Sequence, residues 1–360
     1  MWWAAPMFFL FAPPADSPIK TDEVVVFIPT FARLDPDGKT WRLPVHGWIY
    51  EPETDSLTRR AALSVFRRSL GLDADAEDAA LFKERAGRFL VDNQRGKKVP
   101  IRFGTGVQEM SESEANGHFR GQIVLSAAEA AMMLKLQDAK HGWLTYQAVT
   151  RPKDERVFKG QVQLLDATGW SVISDIDDTI KISEVRNKKA LLANTFLREF
   201  QPAPGMAALY QDWLTQGAAF HYVSGSPWQL YEPIRAFADK AGFPLGSYHM
   251  KEFRWKDSSV LNLLGSQQEY KLGAIEPILT QFPQRRFVLV GDSGEQDPEI
   301  YGVLARKYPK QIARIFIRNV TDEPADAERY RKAFADVPAE RWHIFKETKD
   351  IGAAPRALKD

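Results

Sequence analysis

Val172-Ile173-Ser174-Asp175-Ile176-Asp177-Asp178-Thr179-Ile180 decides how this 360-residue chain is read. An apolar run ends in three carboxylates and a hydroxyl, the pattern of a buried strand that opens onto a site. Open α/β sheets bind their ligands at the carboxyl ends of their strands. Asp175 and Asp177 lie two residues apart, and charges this close repel unless a cation or protons neutralise them. Oxygen-only donors suit a hard cation, Mg²⁺ first among them. An EF-hand loop starting at Asp175 would need Gly in sixth place and Glu in twelfth. The chain has Ile180 and Arg186 there, so that reading fails. A solvated acidic turn is the bland alternative, but such turns rarely follow a buried strand.

The stretch resembles the first motif, Asp-x-Asp-x-Thr, of the haloacid dehalogenase superfamily of phosphotransferases. That resemblance implies Asp175 as the nucleophile on phosphorus and Asp177 as general acid and base. A second strand, Phe220-His221-Tyr222-Val223-Ser224-Gly225-Ser226-Pro227, ends in small hydroxyl residues. Pro227 fits the first position of a helix with Ser226 as its cap, and free N–H groups beside Gly225 would attract an anion. Ser224 matches the family's second motif, which implies a hydrogen bond to the phosphoryl oxygens, with Thr179, Gly225 and Ser226 around the phosphate. His221 reads as a core residue.

The family's third motif is a lysine before the last catalytic strand. Lys271 and Lys251 are the candidates, and Lys271 is preferred because the helix it opens leads directly into that strand. It stands 21 residues before Asp292. Phe287-Val288-Leu289-Val290-Gly291-Asp292-Ser293-Gly294-Glu295-Gln296-Asp297 resembles the fourth motif. It implies Asp292 and Asp297 as metal ligands beside Asp175 and the Asp177 carbonyl, with Glu295 as a spare. Asp297 also reads as an N-cap before Pro298.

SDIDDTIKISEV, YVSGSPWQLY and VLVGDSGEQDPEIY narrow the match. Together they resemble the catalytic domain of the actin-patch phosphatidate phosphatase family, over about 171–320 and including Trp228 and Tyr301. The resemblance implies Mg²⁺-dependent hydrolysis of phosphatidate to diacylglycerol, a role in lipid metabolism, through an aspartyl-phosphate. A phosphatase of the same fold acting on a soluble phosphometabolite or a phosphoprotein, and a non-catalytic binding module, are the alternatives. Trp228, Phe253, Trp255 and the apolar N-terminus are candidates for a lipid approach, and core packing accounts for the aromatics equally well.

The whole-chain numbers fit this reading. A net charge of +1 is not that of a general nucleic-acid binder. The chain has no cysteine, which excludes disulfides, thiolate nucleophiles and zinc–cysteine sites. Residues 1–14 are apolar and uncharged, too short to span a bilayer as a helix. They read as a signal peptide, an interfacial anchor or a packed terminus. An exported or membrane-associated location, with a peripheral membrane contact, is therefore expected over a cytoplasmic one.

The expected architecture is α/β. A Rossmann-like parallel sheet of haloacid dehalogenase type occupies 167–350. A β-rich, sandwich-like domain over 21–166, with a helical insertion, precedes it. Residues 1–20 form the signal or anchor, and 351–360 a tail. Strands are expected at 23–32, 41–50, 98–104, 118–125, 142–149 and 156–165. The insertion carries Arg59, Arg60, Arg67 and Arg68, either a solvated face or a membrane-surface helix.

Overall fold

The computed structural model describes residues 17–52, 57–72, 79–252 and 267–351. The apolar start, Phe253, Trp255 and the tail lie outside them. Two compact units divide the chain. One is built from residues up to 53 and from 91–166, the other from 54–90 and from 167 onward.

The first unit contains two sheets. Val24–Ile28, Thr40–Glu51, Asp92–Asn93 and His118–Ser126 pair antiparallel in one. The other runs Thr30–Arg33, Lys159–Leu165, Trp143–Ala148, Lys98–Phe103, Gly106–Glu112 in spatial order. Val25, Phe27, Leu43 and Val45 from the first bury in one cluster with Ile101, Leu144, Tyr146 and Val162 from the second. The single strand expected over 23–32 is in fact two strands in different sheets. Pro29 separates them, and a residue without an N–H cannot extend a ladder.

The second unit begins with α1 (Leu57–Ser69) and α2 (Ala79–Gly87). The sequence places this insertion in the β-rich domain, yet it clusters with the other unit. Its apolar stripe explains why. Phe66 and Phe82 are buried, and both meet the Phe196 ring, at 5.7 and 6.2 Å between centroids. Arg85, buried in α2, donates to the carbonyls of Thr195 and Arg198 at 2.8 and 2.7 Å.

Six strands form one sheet: β1 (Trp170–Ser174), β2 (Ala219–Pro227), β3 (Ser247–Lys251), β4 (Arg286–Asp292), β5 (Ile312–Arg318) and β6 (Trp342–Phe345). The order is β3-β2-β1-β4-β5-β6 and every pair is parallel. All of β1 and six of the seven residues of β4 are buried, as continuous apolar strands are when helices cover both faces. The helices are α3 (Lys188–Phe196), α4 (Met206–Thr215), α5 (Tyr231–Ala241), α6 (Gln267–Gln281), α7 (Asp297–Lys307) and α8 (Glu328–Ala333). Ser174 lies opposite Tyr222 and Val290. That register brings the carboxyl ends of β1, β2 and β4 to one edge.

Candidate active site

Asp175 follows β1 and its N–H donates to the Val290 carbonyl at 2.9 Å, so the ladder to β4 fixes its backbone. Asp292 ends β4. Its Oδ1 accepts from the N–H groups of Gly294 and Glu295 at 2.6 and 3.2 Å. Those bonds fold the loop back and carry Glu295 into the site. Asp175, Asp292 and Glu295 each bring a carboxylate oxygen to within 4.8 Å of the others.

Lys271, on α6, completes the charge pattern. Its Nζ lies 2.8 Å from Asp175 Oδ1, 3.3 Å from Glu295 Oε2 and 2.5 Å from Asp297 Oδ1. Three carboxylates thus face one ammonium. The contact with Asp175 is an ion pair without hydrogen-bond geometry. Both Asp175 oxygens and Asp292 Oδ2 are buried and accept no hydrogen bond. Buried anionic oxygens without donors are costly, and a divalent cation fits the triad that presents them. Burial pushes the Asp175 and Asp292 carboxyls well above their ordinary range, and neighbouring carboxylates push them further. Burial alone would lower Lys271, but Asp175, Asp297 and Glu295 raise it well above an ordinary lysine.

The triad that could hold a metal ion differs from the expected ligands. Asp297 stands outside the triad: Oδ1 holds Lys271 and Oδ2 accepts from the Asp292 N–H at 3.1 Å. Nor is it the N-cap, because Gln296 occupies that position. Gly291 makes this approach feasible, since a Cβ there would lie 2.3 Å from Asp297 Oδ2. Glu295, expected only as a spare, is the third member.

Asp177 points into a separate cage. Its Oδ1 meets Lys181 Nζ and Ser183 Oγ, both at 2.7 Å. Its Oδ2 accepts from Ser224 and Ser226 at 3.1 and 3.0 Å. Its side chain is therefore not part of the acidic triad. Burial would raise its carboxyl, but the Lys181 charge and the Lys181, Ser183 and Ser226 donors outweigh this and hold it at about 2.

Ser226 is accordingly not a helix cap. β2 runs through Pro227, α5 starts only at Tyr231, and the Ser226 N–H donates to Ser224 Oγ at 3.0 Å. Gly225 lines the cleft beside Asp177. Thr179 Oγ1 is buried with no hydrogen-bond partner.

Asp178, the motif's third carboxylate, turns away at φ 54°. It accepts from the N–H groups of Ser183, Glu184 and Val185, which shapes the loop. Trp228 is buried at 7% exposure and forms an edge contact with Tyr231, so it offers no open lipid approach. Tyr301 is buried and donates to the Val290 carbonyl. Lys251 ends the edge strand β3.

Lys181 and Ser183 are the site residues that the sequence reading lacks. The signal was a lysine between Ile180 and Ile182. Lysine is almost never fully buried unless it is paired, and Lys181, at 2% exposure, has Asp177 as its partner.

Residues 170–319 match the model of the "Phosphatidate phosphatase APP1, catalytic domain" family. An uncharacterized protein of Schizosaccharomyces pombe is 30% identical over 181 residues, covering 49% of this chain and 29% of that protein. Phosphatidate phosphatase APP1 of Saccharomyces cerevisiae is 32% identical over 187 residues, covering 51% of this chain and 30% of that protein. The match thus spans less than a third of either relative. Among solved structures, a phosphoserine phosphohydrolase-like protein from Francisella tularensis is 14% identical with a TM-score of 0.31, covering 53% of this chain and 100% of its own. Residues 170–319, which carry every charged side chain of the site, resemble the catalytic domain of the APP1 phosphatidate phosphatases.

Proposed function

We propose that the second unit is a Mg²⁺-dependent phosphatidate phosphatase of haloacid dehalogenase type. The observation that carries this reading is one sheet edge with two distinct carboxylates. Asp175 lies buried among Lys271 and a cation-fitting acidic triad, and Asp177 lies two residues on in its own donor cage. The parallel strand order β3-β2-β1-β4-β5-β6 supports reading it as a doubly wound Rossmann-like sheet, with the site at the strand ends where such sheets bind ligands.

Asp175 attacks phosphorus: an Asp175 Oδ–P bond forms and the bond from phosphorus to the glycerol oxygen breaks. Asp177 gives its proton to the departing alkoxide, and the negative charge of an incoming phosphate raises the proton affinity of Asp177 for that step. Asp177 then accepts a proton from the water that hydrolyses the aspartyl-phosphate. The ionised state that Lys181 holds is the one this second half requires. Lys271 offsets charge on the phosphoryl oxygens, and Ser224, Thr179 and the Gly225–Ser226 turn surround them. When bound by Asp175, Asp292 and Glu295, Mg²⁺ supplies the countercharge that keeps Asp175 ionised and polarises the phosphoryl group.

The outer face of α1, with Leu57 and Val65 at 83% and 53% exposure beside Arg68, suits a peripheral contact with an anionic lipid surface. Among the described residues no helix is long and apolar enough to cross a membrane.

The test is phosphate release from phosphatidate in mixed micelles, with and without Mg²⁺, for wild type and Asp175→Asn. The reading expects Mg²⁺-dependent release that the substitution abolishes. Release only from water-soluble phosphomonoesters would contradict the lipid substrate, and release that survives Asp175→Asn would contradict the nucleophile.

A further inference from the structure

Arg329, on α8, stands outside residues 170–319, the stretch that matches the family model, yet its guanidinium grips the loop that carries Glu295. Nη1 donates to the Ser293 carbonyl and Nη2 to the Glu295 carbonyl. Nε and Nη2 also meet the two carboxylate oxygens of Glu299, on α7, at 2.7 and 3.0 Å. A trans peptide unit is planar, with its C=O and N–H pointing opposite ways. The Ser293 carbonyl and the Gly294 N–H belong to one such unit. Arg329 holds the carbonyl on one side, and Asp292 Oδ1 accepts from the N–H at 2.6 Å on the other. The unit is thereby fixed at both ends. Glu295 is held in the same manner, by its N–H on Asp292 and its carbonyl on Arg329. Ser293 Oγ ties only the start of the loop to the chain after β5, accepting from the Val320 and Thr321 N–H groups at 2.9 and 3.1 Å.

We infer that Arg329 is a positioning residue for the metal: it sets the affinity of the acidic triad for Mg²⁺ through Asp292 and Glu295, and touches neither the ion nor the substrate. The inference rests on the reading of that triad as the Mg²⁺ site. Two members of the triad depend on the loop that Arg329 holds. Asp292 keeps Oδ1 on the loop N–H groups, which leaves Oδ2 as its oxygen without a hydrogen bond. Glu295 keeps its carboxylate within 4.8 Å of those of Asp175 and Asp292 because its backbone is fixed. Without the guanidinium, the Ser293–Gly294 unit and the Glu295 carbonyl lose their charged partner, and the aim of Glu295 rests on Asp292 alone. A planar fork reaches two carbonyls and a carboxylate together, which a single ammonium does not. The competing role for Arg329 is a strut that fastens α8 to α7 through Glu299 and contributes stability only.

The experiment titrates Mg²⁺ alone into the metal-free full chain by calorimetry, with phosphatase activity against Mg²⁺ measured in parallel. In Arg329→Met the dissociation constant for Mg²⁺ should rise about tenfold, the lower range for losing a group that orients metal ligands from outside. Activity lost at low Mg²⁺ should return as Mg²⁺ is raised. Arg329→Lys keeps the charge but not the fork; it should show the same weakened binding, and it carries the test if the methionine variant does not fold. Glu299→Gln cuts the charged tie to α7 and leaves both carbonyl contacts, so its unfolding midpoint should fall while its Mg²⁺ affinity holds within about twofold. Unchanged affinity in the Arg329 variants, or an equal loss in Glu299→Gln, would overturn the inference and leave Arg329 a strut. A wild type that binds no Mg²⁺, or that binds it as well after Glu295→Gln, would overturn the metal site itself and the inference with it.

Discussion

Replacing Lys271 with methionine tests the charge arrangement most severely. Methionine preserves much of the volume of the stem but removes an ammonium that lies 2.8, 3.3 and 2.5 Å from Asp175, Glu295 and Asp297. Those carboxylates are 1%, 14% and 0% exposed, so water cannot replace the lost partner. Removing one side of a buried ion pair costs about 3–5 kcal/mol, and with three carboxylates sharing the charge the upper end, about 5 kcal/mol, applies here. The assay is urea unfolding near neutral pH in chelator, followed by tryptophan fluorescence. Adding Mg²⁺ to about a hundred times its dissociation constant should return about 2.7 kcal/mol, because the cation replaces part of the missing positive charge. Activity should remain lost, since the phosphoryl oxygens also lose a positive partner. A destabilisation under about 1 kcal/mol would refute the reasoning, because it would mean that the carboxylates do not need the lysine.

Glu295→Gln should raise the Mg²⁺ concentration for half-maximal activity about tenfold or more with little change in folding, since it removes one member of the triad. Asp297→Asn should instead act mainly on stability, through the loss of its contact with Lys271. A titration of activity against Mg²⁺ beside an unfolding curve separates the two, and the opposite pattern would return Asp297 to the metal. The pH dependence follows from the raised carboxyls of Asp175 and Asp292. A carboxyl raised in the folded state contributes stability that is full below its unfolded value and is lost as pH rises through the folded one. In chelator, the unfolding midpoint should therefore be lower at about pH 8 than at about pH 5.5, and saturating Mg²⁺ should shrink the difference. Asp177, held at about 2, behaves oppositely: its contribution is present above about pH 4 and disappears between there and about pH 2.

The parallel sheet was legible because largely apolar stretches lead into Asp175, Ser224 and Asp292. The edge strand β3 was not, because its five residues, Ser247 to Lys251, alternate polar and apolar only briefly and lack the continuous apolar run that marks β1 and β4. The ends of 219–227 misled for a related reason. Pro227 is an acceptable helix start, but the hydrogen bonds from Ser224 and Ser226 to Asp177 hold the chain extended up to it. The choice between Glu295 and Asp297 depends on loop geometry. The N–H groups that Asp292 collects, and the space left by Gly291, aim the two carboxylates at different partners, and neither feature is visible in residue spacing. Lys181 is not indicated by the motif that precedes it, because that motif accounts for the chemistry without a lysine. The placement of 54–90 was hidden as well, since chain order favours the β-rich domain while the phenylalanines of the insertion find their partner in Phe196.

The account stands or falls on a phosphoryl group carried by Asp175. The wild-type protein should be incubated with Mg²⁺ and phosphatidate, quenched in acid during turnover and examined by peptide mass spectrometry. A phosphoryl group is expected on the peptide bearing Asp175, and none when Asp175 is replaced by Asn. Phosphorylation of another residue, or a label that survives the loss of Asp175, would contradict it.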